Sequence, residues 1–201
     1  IVQIVGYIVE GEADFDLACA DINGDGVTNV LDIVQIVNGI VNGRVDIVDA
    51  TSAKLIKSSN GLILQAEGYI GGIQMTLKHD AEFTIKLNDN AWISDYSTFD
   101  NQTTLVIINP IIGELFTTSS DYEIIDMIVA NSHDAINPII VREFSLTDAY
   151  PNPFNPSTTV ELTIPEAGHV SVMVYNIQGQ LVAELADAKM HADNYQFTWN
   201  A

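Results

Sequence analysis

The chain has 201 residues, of which 47% are hydrophobic and only 17% charged; this core-forming composition excludes a disordered polymer. Its 27 acidic residues against 7 basic ones give a net charge of −20, so it lacks the basic footprint of a nucleic-acid binder and is repelled by anionic lipid. A single cysteine, Cys19, rules out an intrachain disulfide, and no apolar run is long enough to span a membrane.

The first predicted element is IVQIVGYIV, Ile1–Val9, with apolar residues at helical spacing. It has no positively charged start of the kind a signal peptide carries, and it opens inside an apolar pattern, which predicts a trimmed or processed beginning. The motif returns as IVQIVNGIV, Ile33–Val41, with seven of nine residues identical at an offset of 32. A repeat at this period indicates a duplicated supersecondary unit. The two helices are expected to pack against each other, each covering the other's apolar face.

Between them lies DINGDGVTNVLD, Asp21–Asp32. A calcium ion takes six to eight hard oxygen ligands, at roughly 2.3–2.6 Å. Asp21, Asn23 and Asp25 at loop positions 1, 3 and 5 converge if the chain turns sharply, and Gly26 at position 6 permits that turn. Val27 would contribute its backbone carbonyl, Asn29 its side chain directly or through a water, and Asp32 would close the sphere from the first turn of the second helix. A solvated Asn/Asp/Gly turn is the plainer alternative, but such turns rarely fill every ligand position and the glycine together. Magnesium suits so flexible a set of protein oxygens less well than calcium.

ADINGDG leading into an apolar helix, with the helix duplicated, resembles the dockerin module over about Ile1–Gly43. The resemblance implies two loop–helix repeats related by a pseudo-twofold axis and binding to a cohesin domain. The first repeat's loop would precede Ile1, so one calcium site is assigned. In dockerins, loop positions 10 and 11 help choose the partner; here they are Val30 and Leu31, which implies an apolar contact.

After Gly43 the period changes from 3.6 to 2. Strands are predicted at AKLIKS, GLILQA, IQMTLKH, EFTIKL, AWISDYS, TTLVIIN, YEIIDMIVAN and PIIVREFSL, separated by turn formers at 58–61, 68–72, 87–90, 99–102 and 119–121. This spacing reads as an antiparallel β-sandwich. GGIQMTLKHD followed by a long set of strands is similar to a cohesin-type sandwich, although a generic carbohydrate-binding sandwich shares many of these features. Trp92, Tyr96 and Phe99 either form a sugar platform or fill the core and its edges, the commoner use of aromatics.

The last stretch is YPNPFNPSTTVELTIPEAGHVSVMVYNIQGQLVAEL. Pro151, Pro153 and Pro156 stiffen a linker and forbid a helix there. Strands are expected at TTVELTIP, HVSVMVYNIQ, QLVAEL and YQFTWNA, with a turn at Asn176–Gly179. The tract closely resembles the C-terminal Ig-like sorting domain of proteins exported by the type IX secretion system. There YPNPFNP opens the domain and a VYNxxGQ hairpin follows the PEAGHV turn. Because the sequence ends at TWNA, the domain is expected to lack part of its sheet. The remaining strand then lies outside this sequence or comes from a neighbouring molecule, as in donor-strand assembly.

No catalytic constellation emerges. His79, His133, His169 and His191 are scattered, and Ser132, His133 and Asp134 are sequence neighbours whose side chains do not easily converge. Asp121 and Glu123 fit a solvated strand face better than a glycosidase pair. The expected fold class is therefore multidomain and mainly β. It comprises a small α dockerin-like loop–helix pair over 1–43, a β-sandwich similar to the cohesin type over 45–146 and an incomplete Ig-like sorting-type domain over 147–201. The expected function is a secreted, non-enzymatic scaffold or filament protein at the cell surface. Its partner would be a cohesin-like domain or neighbouring copies of itself. The alternative is the carbohydrate-binding, anchoring tail of a larger secreted glycoside hydrolase.

Overall fold

A computed structural model describes residues 1–41, 48–58, 60–165 and 167–200. The protein is mainly β, with two short helices and several sheets. It divides into two compact units, Ile1–Ile140 and Val141–Ala201. The domain boundary expected at residues 43–45 lies outside the described residues, and the second unit begins somewhat before the expected residue 147.

In the first unit, α1 spans Val2–Glu10 and ends at Gly11, which adopts φ 80° and sends its N–H to the Tyr7 carbonyl at 2.8 Å. A single 3-10 turn, Leu17–Cys19, follows, capped by the Asp16 side chain. Helix α2 covers Val30–Val41. Its start is a reciprocal cap: Asn29 Oδ1 accepts the Leu31 N–H at 2.8 Å, and Asp32 Oδ2 accepts the Asn29 N–H at 2.9 Å.

Ten strands follow: β1 (Ala53–Ser58), β2 (Gly61–Ala66), β3 (Gly72–His79), β4 (Ile85–Leu87), β5 (Ile93–Phe99), β6 (Gln102–Ile108), β7 (Gly113–Thr118), β8 (Tyr122–Ala130), β9 (Ala135–Ile136) and β10 (Pro138–Arg142). They form two five-stranded sheets, ordered β10-β1-β2-β7-β4 and β5-β6-β3-β8-β9. One core is built from both sheets, with Leu55, Leu62, Leu64 and Phe116 from the first and Ile73, Met75, Leu77, Leu105 and Ile107 from the second. Successive side chains of a strand point to opposite faces, so Val106 and Ile108 of β6 and Ala130 of β8 emerge on the outer side of the second sheet. There they join a second core with Ile4, Val5, Val9, Ile33, Val34 and Val37 of the two helices.

This packing revises one expectation. The helices do not chiefly cover each other; their apolar faces lie on the outer face of the β5-β6-β3-β8 sheet. The physical reason is that β6 carries the run Leu105-Val106-Ile107-Ile108, apolar on both faces, and its outer residues need a cover.

The second unit contains β11 (Ser145–Leu146), β12 (Ser157–Ile164), β13 (Gly168–Tyr175), β14 (Leu181–Met190) and β15 (Asp193–Asn200). They pair as β11-β12-β15 and β13-β14. The proline tract is more than a linker. Thr158 donates its hydroxyl to the Pro151 carbonyl at 2.9 Å, and the Phe154 ring packs 5.1 Å from that of Trp199.

Candidate functional site

The acidic loop folds on itself through its own carboxylates. Asp21 Oδ1 accepts the N–H groups of Gly24 and Asp25 at 2.8 and 3.2 Å, and Oδ2 accepts that of Gly26 at 2.9 Å. Asp25 Oδ1 accepts the Val27 N–H at 2.8 Å, and its Oδ2 accepts the Asn23 side-chain amide at 2.9 Å. Asp32 Oδ1 accepts the N–H groups of Ile22 and Asn23 at 2.8 and 3.3 Å. Gly24 and Gly26 adopt φ 74° and 88°, the left-handed backbone on which these turns depend.

Burial is graded around the loop. Asn23, Asp25 and Val27 are exposed, Asp21 is intermediate, Asn29 is 6% exposed and Asp32 is 0%. Asp32 therefore buries a carboxylate, and among the described residues no Lys, Arg or His forms an ion pair with it. Among the described residues no three His, Cys, Asp or Glu side chains gather as a metal ion would need; here the carboxylates face backbone N–H groups. The chemistry of the donor set fits calcium nonetheless. Asp21, Asn23, Asp25, the Val27 carbonyl, Asn29 and Asp32 offer only hard oxygens, the ligand type calcium takes, while buried Asp32 is satisfied here by the N–H groups of Ile22, Asn23 and Asn29.

The second feature is the seat of α2. Val30, which the dockerin resemblance assigned to a partner contact, is 0% exposed; Leu31 is half-buried. Val30 is unavailable because it packs over Gly72. A Cβ on Gly72 would stand 2.6 Å from Val30 Cγ2, and one on Gly71 would stand 2.6 Å from Val34 Cγ1 and 2.7 Å from the Asn131 carbonyl. The two glycines thus let the helix approach the β3 backbone. Polar contacts fix both ends: the Val30 N–H donates to Gln74 Oε1 at 3.1 Å, and the Asn38 side-chain amide donates to the Ser132 carbonyl. In the sequence, Gly71–Gly72 reads only as part of a turn. The signal for a seat was the glycine pair at a strand entrance, a common mark of close backbone approach.

Ser132 and His133 do meet an aspartate, but it is Asp49. Asp49 accepts the Ser132 N–H on Oδ1 at 3.1 Å and the Ser132 hydroxyl on Oδ2. His133 Nδ1 lies 2.6 Å from the Ser132 hydroxyl and 3.2 Å from Asp49 Oδ2. Serine and aspartate share one ring nitrogen, whereas a nucleophilic triad needs one on each. Ser132 is also 4% exposed, so the cluster ties one loop to another.

The three candidate sugar-platform aromatics do not share a face. Trp92 is 60% exposed and Phe99 80%, but Tyr96 pairs with Leu105 and Phe99 with Gln102, an odd number of residues apart along β5. Tyr96 and Phe99 consequently point to opposite sides of the sheet.

Residues 148–199 match the family model described as the secretion system C-terminal sorting domain. The resemblance of the YPNPFNP tract to a type IX sorting domain is thereby borne out, and it points to export of this protein by type IX secretion. No curated protein and no solved structure showed a match. Among the described residues no helix is long and apolar enough to cross a membrane.

Proposed function

We propose that this is an exported, non-enzymatic docking protein of the cell surface or of an extracellular assembly. Its helix–loop unit acts as a calcium-stabilised, dockerin-like module, and its first pair of sheets as a cohesin-like sandwich that receives such a module. One observation carries the reading: the apolar faces of α1 and α2 rest on one sheet, with two glycines admitting α2 and a polar contact at each of its ends. A shape-matched contact of this kind is what a docking pair requires.

Asp21, Asn23, Asp25, Val27, Asn29 and Asp32 would hold the calcium. The ion would tie the loop to the first turn of α2 through Asp32. Saturating a site that exists only in the folded state stabilises it by about 2.7 kcal/mol at a hundredfold excess over Kd. The clean test is Asp25→Ala. Asp25 is exposed and caps no helix, whereas Asp32→Ala would also remove the reciprocal cap of α2. Titration calorimetry should show calcium binding and a raised melting temperature for the natural chain, and neither for Asp25→Ala. Equal heats from both proteins would refute the loop assignment.

A further inference from the structure

The turn between β5 and β6 differs from other turns of the chain in what its side chains do. Asn88, Asn131 and Asn176 each accept backbone N–H groups of their own turns. Between β5 and β6 the backbone makes the bend: Asp100 adopts φ 53°, and the Asn101 carbonyl accepts the His79 N–H at 3.0 Å. Among the described residues, the side chains of Asp100, Asn101, Gln102 and Lys78 have no hydrogen-bond or ion-pair partner. With Phe99, which is 80% exposed, these four line an open hollow of about 620 Å³.

Sheet register sets their arrangement. Phe99 of β5 stands beside Gln102 of β6, and Gln102 beside Lys78 of β3. One row along, Ser97, Thr104 and Thr76 stand side by side in the same three strands. Alternation places both rows on the outer face of the sheet, with Val106 and Ile108. The helices cover that face over Val106 and Ile108. Its other end presents a ring, an amide, an ammonium group and three hydroxyls on three strands, a width of about 10 Å.

We propose that this patch binds a neutral glycan, with one pyranose ring stacked on Phe99. A pyranose offers an apolar C–H face, which suits an exposed aromatic ring, and a rim of hydroxyls that both donate and accept. The side chains of Asn101 and Gln102 do both, Lys78 donates and Asp100 accepts. The surroundings disfavour other ligands. Asp100 in the turn, Glu123 opposite Lys78 on β8, Asp126 opposite Thr76 and the net charge of −20 repel an anionic polymer. A single ring set among polar groups supplies little of the roughly 800 Å² per partner that a stable protein interface buries. The patch lies at the opposite end of β3 from Gly71 and Gly72, so it is independent of the docking reading above.

Affinity electrophoresis of the full chain tests this, in gels containing mannan, arabinoxylan, mixed-linkage β-glucan or starch, with alginate as the anionic comparison. At least one neutral polysaccharide should retard the protein, equally at low and high salt. Phe99→Ala should weaken the retardation about tenfold, and Gln102→Ala should weaken it less. Trp92→Ala, beyond the far end of β5, should leave it unchanged. All three side chains are exposed, so each variant should keep the natural melting temperature. No retardation in any neutral gel would overturn the proposal. So would retardation that Phe99→Ala leaves intact, or binding confined to alginate and abolished by salt. Should a variant melt early, magnetic resonance of the natural chain decides. The hexasaccharide of the retarding polysaccharide should shift the signals of Phe99–Gln102 and Lys78, and shifts that leave these residues untouched would overturn the site.

Discussion

The two compact units use the same period-2 pattern to different depths. In the first, Leu55, Leu62, Ile73, Met75, Leu105 and Phe116 are 0% exposed, and the second sheet lies between a shared core and the helices. In the second, Leu162 and Ile164, each at 3%, are the fully buried hydrophobics among the described residues. Tyr195, Phe197 and Trp199 are half-buried, alternating with exposed neighbours along β15. An alternating sequence therefore fixes which side chains share a face, while the cover laid on that face fixes how much each contributes. The first unit depends on a filled interior; the second depends more on strand pairing and ring contacts.

Truncating one phenylalanine in each unit is the strongest way to break this contrast. Phe116→Ala empties a fully enclosed position and should destabilise the first unit by about 3–5 kcal/mol. Phe197→Ala removes a half-covered ring and should cost the second unit about 1–2 kcal/mol. The chain's two tryptophans fall one in each unit, so Trp92→Phe and Trp199→Phe backgrounds let fluorescence follow each unit separately through a urea titration. Equal shifts in both probes from both substitutions would remove the distinction.

A smaller effect is expected where helix meets sheet. Gly71→Ala and Gly72→Ala should each cost about 1–3 kcal/mol through overpacking. Gly71→Ala should cost more, because its new methyl meets the Asn131 carbonyl as well as Val34, whereas Gly72→Ala meets only side chains. The Trp92 signal should move and the Trp199 signal should not. If Gly72→Ala proves the more damaging, the approach of α2 to β3 is not limited where the structure places it.

The same contrast explains what could be read in the sequence. β1 and β2 run from Ala53 to Ser58 and from Gly61 to Ala66, as expected, because alternation and the turn between them agree. The Asn176–Gly179 turn is also found, with Gly179 at φ 78°. β7 was missed. Its pairing with β2 slips between Leu62 and Ile63, so Leu115 and Phe116 both enter the core and the alternation in GELFTT is lost. The seating of the helices was missed for a different reason: the amphipathic stripes of α1 and α2 show that each needs a cover but not which surface supplies it. The clue lay far along the chain, in the unbroken apolar run of β6 and the glycine pair before β3. At the acidic loop the oxygen-bearing residues and the turn glycine were plain from spacing. That Asp32 is buried and also caps α2 needed the fold.

The smallest effect concerns Asp49, which joins the segment before β1 to the loop carrying Ser132. Burial pushes its carboxyl up, but the hydrogen bonds from the Ser132 hydroxyl and N–H, together with His133, outweigh this and hold it below its usual value of 3.8. A folded-state value below the unfolded one means the contribution is fully present above the unfolded value and is lost as pH falls through the folded value. Stability from this cluster should hold from neutral pH down to about pH 4 and decline below it. Asp49→Asn cannot ionise, so the gap in urea midpoint between it and the natural chain should be widest near neutral pH and narrow in acid. Other carboxylates titrate in the same range in both proteins, so only the difference between them is informative. A gap that stays constant down to pH 2, well below the ordinary aspartate value of about 3.9, would show that Asp49 acts through shape alone and that its charge contributes nothing to holding Ser132 at the end of α2.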